Sequence, residues 1–125
     1  MQFLPCDRKS GTPMSIVLFS TDLMLYSVVS RAAADAGQSF RSDTNIDALA
    51  TVLQDPETIL CLDLNAETGD PAVLAMLLHP LSLPRSIAFG PHVHIEKLKA
   101  ASAAGFGHVL PRGQFVAQVE SLLRQ

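Results

Sequence analysis

The 125-residue sequence has no tryptophan and a single tyrosine, and aromatics make up 6% of it. Any core it builds must therefore be aliphatic and alanine-rich. Charge is scarce as well: Asp, Glu, Lys and Arg together reach 17%, below the usual share of about 25%. Nine basic residues against twelve acidic ones leave a net charge of −3. No Lys/Arg stripe is available to displace counterions, which excludes a generic nucleic-acid surface. Two cysteines, Cys6 and Cys61, cannot form a disulfide framework and show no CxxC spacing, so a reducing, cytoplasmic setting is expected. No stretch approaches the roughly 18 consecutive apolar residues of a membrane span. The opening MQFLPCDRKSGTPM lacks the apolar centre of a signal peptide, so residues 1–13 are expected to be a flexible leader ahead of one domain over 14–125. What is present is hydrophobic content, 48%, enough for a sizeable core and too much for a disordered chain.

That content is arranged as short aliphatic runs alternating with helical patterns. Residues 15–19 form a continuous apolar run of the kind a strand buried on both faces shows. From Asp22 to Ala36, Leu23, Tyr26, Val29, Ala33 and Ala36 recur at three- and four-residue steps, and Gly37 is placed to stop that helix. Residues 39–41 predict a weak edge strand, and Ile46, Leu49, Ala50 and Leu53 a second helix. The run 58–62 ends at Asp63. Asp70-Pro71 is a helix-start signature, and the helix it opens is predicted to run to about His79. A strand over 86–89 ends at Gly90, a helix starts at about Val93 and stops at Gly105, a strand covers 107–110, and a final helix spans Phe115 to Leu123. Strand starts near 15, 38, 58, 85 and 107 predict a three-layer α/β fold: a doubly wound (βα)5 parallel sheet of flavodoxin-like type. The weak second strand suits the edge of a 2-1-3-4-5 order.

In such sheets ligands bind beyond the carboxyl ends of the strands, where the first and third strands diverge. Ser20, Thr21 and Asp22 end the first strand there, Asp63 the third, Gly90 the fourth, and Pro111, Arg112 and Gly113 the fifth. An acid closing an apolar strand needs a partner, and Arg112 is expected to supply it to Asp63.

These residues resemble the receiver domain of two-component response regulators over about Ser15 to Leu123. The resemblance rests on the Leu62-Asp63-Leu64 strand end and on the segment from Ala100 through Gly105 and His108 to Arg112. It implies that Asp63 stands at the phosphoacceptor position and Arg112 where the family carries a phosphoryl-contacting Lys. It also exposes departures. Ser20 and Thr21 occupy the places of the adjacent acids that hold Mg²⁺, with Asp22 one position late. Gly90 replaces a hydroxyl residue, Val109 an aromatic switch residue, and Gly113 a Pro. Asp63 and Asp22 alone are a poor oxygen set for a hard cation, and a guanidinium fork does not replace an ammonium. The expectation is a phosphorylation-independent pseudo-receiver that acts through protein contacts, with no cofactor and no enzymatic turnover. Its expected partner is a histidine kinase, an effector or a second copy. Two alternatives stand beside it: a receiver that accepts phosphate on Asp63 with Mg²⁺ held by Asp22 and Asp63, and a flavodoxin-like domain that binds a small molecule.

Other constellations favour plainer readings. His92, His94 and Glu96 offer no second His/Cys pair for zinc and read as a solvated loop. His79 is expected at a helix C-terminus, His108 at a strand start, and Cys61 as an inert core residue. No GxGxxG, Walker A or GxSxG segment is present. Glu96, Lys97 and Lys99 on the fourth helix, and Gln114, Gln118, Glu120 and Arg124 on the last, give mild mixed surfaces suited to transient protein contacts.

Overall fold

The protein's structure, a computed structural model, describes residues 14–124. The expected leader and Cys6 lie outside the described residues. The elements in chain order are β1 (Ser15–Phe19), α1 (Leu23–Asp35), β2 (Ser39–Ser42), α2 (Ile46–Leu53), β3 (Thr58–Asp63), α3 (Pro71–Leu77), β4 (Ile87–Gly90), α4 (Ile95–Ala104), β5 (His108–Pro111) and α5 (Arg112–Leu123). All strand pairs are parallel and the sheet order is β2-β1-β3-β4-β5, as the alternation of elements predicts.

Strand alternation sorts the core into two layers. Ile16, Leu18, Ile59, Cys61, Ile87 and Phe89 face α1 and α5, where Leu25, Val29, Phe115 and Val119 cover them. The Phe89 and Phe115 rings stack with centroids 4.0 Å apart. Val17, Phe19, Leu60, Leu62 and Ala88 face the other way, under Leu49, Leu53, Leu74 and Ala101 of α2, α3 and α4. Burial on both faces explains the uninterrupted apolar runs of β1 and β3. The edge strand β2 is only half covered, which explains its weak signal.

Helix starts follow cap chemistry. Asp22, Asn45 and Asp70 each accept a backbone N–H of the helix they precede. Gly37 follows α1 at φ 70°, a left-handed conformation that favours glycine. Gly107 is required for a different reason: a Cβ there would lie 1.6 Å from the Pro84 carbonyl oxygen. Its own N–H donates to the Leu83 carbonyl at 3.2 Å, so two backbones meet where a side chain cannot fit.

Three details depart from the sequence expectation. α5 begins at Arg112 rather than Phe115, because Pro111, in an extended conformation, serves as its N-cap. α4 begins at Ile95, two residues past Val93. α3 ends at Leu77, and Leu78 turns extended, so His79 lies outside the helix. The His79 Nδ1 accepts the Leu81 N–H at 3.0 Å, within a turn leading to a short 3₁₀ segment, Leu83–Arg85.

Candidate functional site

The β1–β3 register pairs Phe19 with Leu62, so the next residues, Ser20 and Asp63, stand side by side where the two strands run out. Ser20 Oγ donates to Asp63 Oδ2 at 2.7 Å. The other carboxylate oxygen, Oδ1, accepts the Asn65 N–H at 2.9 Å. Asp63 retains 5% of its surface and Ser20 6%. A buried carboxylate is tolerated only when its oxygens are hydrogen-bonded, and here both are. Ser20 Oγ in turn accepts the Asp22 N–H at 3.1 Å, so the hydroxyl links the ends of both strands to the start of α1.

Arg112 does not reach this carboxylate. The expected Arg112–Asp63 pair is replaced by Arg112–Asp22: Arg112 Nη2 donates to Asp22 Oδ2 at 2.8 Å across the gap between α5 and α1. Asp22 is drawn there by its role as the N-cap of α1, in which Oδ1 accepts the N–H groups of Met24 at 2.8 Å and Leu25 at 3.2 Å. That cap leaves the second oxygen facing α5, whose first residue is Arg112. The Arg112 hydrogen bond, followed by the Leu25 N–H, holds the Asp22 carboxyl below its ordinary value.

The residues present do not fit Mg²⁺. A hard divalent ion takes six or more oxygens and relies on carboxylates. Asp22 has committed one oxygen to helix N–H groups and one to a guanidinium, and Asp63 has committed both of its own. Thr21 adds a hydroxyl on the exposed side. Among the described residues no three His, Cys, Asp or Glu side chains come together as a metal cluster, the His92–Glu96 segment included.

An apolar side chain roofs the site. A Cβ at Gly90 would lie 3.2 Å from Leu64 Cβ, because Leu64, 3% exposed, packs over the end of β4. The space in which a hydroxyl side chain at position 90 would stand is therefore crowded by an apolar one. From the far side, Lys97 Nζ donates to the Leu64 carbonyl at 3.3 Å and ties α4 to the loop after Asp63. This contact had no sequence signal beyond a lysine on the polar side of its helix. Val109, on β5, is half-buried against the α2–α4 layer. Gly113 lies exposed in the first turn of α5. Cys61 is fully buried in β3 and burial pushes its thiol up to about 12, which leaves no thiolate for chemistry. Glu96, Lys99, Gln114, Gln118, Glu120 and Arg124 are exposed, and His92 with them. Among the described residues, no helix is long and apolar enough to cross a membrane.

No protein-family model matches the sequence, and no curated protein matches it. Solved structures do match the fold. A response regulator receiver domain from Rhodospirillum rubrum is 15% identical, with 89% of this chain and 92% of that one covered and a TM-score of 0.63. A chain from Chloroflexus aurantiacus J-10-fl, assigned as a response regulator, is 18% identical over 90% of this chain and 99% of that one, with a TM-score of 0.65. The chain has the fold of a response regulator receiver domain.

Proposed function

We propose that the chain is a receiver-like signalling module that works through protein contacts while Asp63 stays unphosphorylated. The observation that carries this reading is the Ser20–Asp63 hydrogen bond of 2.7 Å on a carboxylate that is 5% exposed. In-line attack on a phosphodonor needs a free carboxylate oxygen and a cation to neutralise the transferred group. Here a neutral hydroxyl takes one oxygen and the Asn65 N–H the other, and the Arg112 guanidinium is spent on Asp22. The domain then acts by presenting its helices to a histidine kinase, an effector or a second copy, in the cytoplasm, with no enzymatic turnover and no direct contact with nucleic acid or membrane.

The rival reading, a phosphoaccepting Asp63, draws on its position at the end of β3 beside β1. Incubation with Mg²⁺ and acetyl phosphate separates the two. The intact mass is expected to stay unchanged; a stoichiometric gain of one phosphoryl group, mapped to Asp63, would falsify the proposal.

A further inference from the structure

Beside the sealed carboxylate the carboxyl edge of the sheet opens into a basin. A cleft of about 410 Å³ is lined by Thr21 after β1, Thr44 after β2, and Asn65, Ala66, Glu67 and Thr68 after β3. A second, of about 360 Å³, shares Thr44 and Thr68 with it and extends over Ile46 and Asp47 at the start of α2. Together they reach the size of a small-molecule site. The Thr68 hydroxyl donates to the Thr44 carbonyl at 3.2 Å, which fixes the loops after β2 and β3 against each other as the basin's wall.

The lining has a consistent chemistry. It presents three threonine hydroxyls, carboxamides, two carboxylates and the apolar side chain of Ile46, and no Lys, Arg or His lines either cleft. An anion would meet Glu67 and Asp47 with no counter-charge, so phosphate and acyl phosphates are disfavoured. Hydroxyl and carboxamide groups both donate and accept, and carboxylates accept only. That set is complementary to a ligand bearing several hydroxyls on an uncharged frame. Thr21, the Thr44 hydroxyl, the Asn65 carboxamide and Glu67 make no side-chain hydrogen bond with the protein among the described residues, so their capacity is left to solvent or ligand.

We propose that this basin binds a small, uncharged polyhydroxylated molecule of the sugar or polyol class. The site is distinct from the Asp63 carboxylate and is present whether or not Asp63 accepts phosphate, so the two proposals fail separately. With no aromatic platform and an open mouth, the affinity belongs in the millimolar range.

Amide NMR titrations of the ¹⁵N-labelled chain with D-glucose, myo-inositol and inorganic phosphate test it. At least one polyol is expected to shift the Thr21, Thr44, Asn65 and Thr68 amides saturably, and phosphate is expected to produce no saturable shift there. Thr44→Val combined with Asn65→Leu should weaken the polyol at least tenfold while the remaining amide spectrum stays that of the folded protein. Both residues line the basin, and neither side chain makes a hydrogen bond with the protein among the described residues. Absence of saturation with either polyol, saturation by phosphate at the same amides, or undiminished polyol affinity in the double variant would overturn the proposal.

Discussion

Two neighbouring stretches of the sheet's carboxyl edge have opposite characters. At the Ser20–Asp63 corner every carboxylate oxygen is partnered and the acid is all but removed from water. Beside it, around Thr21, Thr44 and Asn65, polar side chains line open clefts. The contrast separates two uses of polar groups. In the first they satisfy one another and hold strands to helices; in the second they are left for something outside the chain. The position that the receiver resemblance marks for chemistry has the structural character, and the open polar clefts lie at its rim.

Breaking the sealed corner should have the largest effect. Asp63→Ala leaves the buried Ser20 hydroxyl and the part-buried Asn65 N–H without their acceptor, and is expected to destabilise the fold by about 3 kcal/mol in chemical denaturation. Asn65→Leu, which removes an exposed carboxamide and keeps the backbone N–H on Asp63, should cost less than about 0.5 kcal/mol. Equal losses at the two positions would erase the distinction. Ser20→Ala comes next, at about 1.5 kcal/mol, because it removes a donor to a charged acceptor and the acceptor of the Asp22 N–H.

The smallest effect concerns Arg112. The Asp22 carboxyl lies below its ordinary 3.8, first through the Arg112 bond and then through the Leu25 N–H. A folded-state value below the unfolded one means that ionised Asp22 stabilises the fold above the ordinary carboxylate range. That contribution is lost as pH falls through it. Arg112→Ala should make the acid limb of the stability profile shallower below the ordinary carboxylate range without abolishing it, since the helix-capping bonds remain. An unchanged acid limb would show that Arg112 is not the group holding Asp22 ionised.

The sheet was legible because its signals are local and physical. The runs 15–19 and 58–62 are apolar on both faces because helices cover both, and their alternation with helical patterns, with the weak second strand at the edge, points to a doubly wound sheet. Ends were read less well where apolar periodicity is silent. Arg112, Gly113 and Gln114 carry no apolar mark, so the first turn of α5 was hidden, and with it the position of Arg112. The Ser20–Asp63 bond could have been found by carrying the strand register one residue past Phe19 and Leu62. The choice of Asp22 over Asp63 by Arg112 could not, because it depends on which oxygen the helix cap leaves free. The basin was missed for a similar reason: threonines and asparagines after three separate strands are ordinary loop residues until the topology brings them to one edge.

The oxygens of Asp63 and Asp22 are already spent inside the protein. The decisive experiment follows the side-chain carboxyl ¹³C resonances of both residues while Mg²⁺ is raised into the millimolar range. Neither resonance is expected to move saturably. A saturating shift of the two together would contradict it, by showing that the carboxylates give up Ser20 and Arg112 to hold a cation.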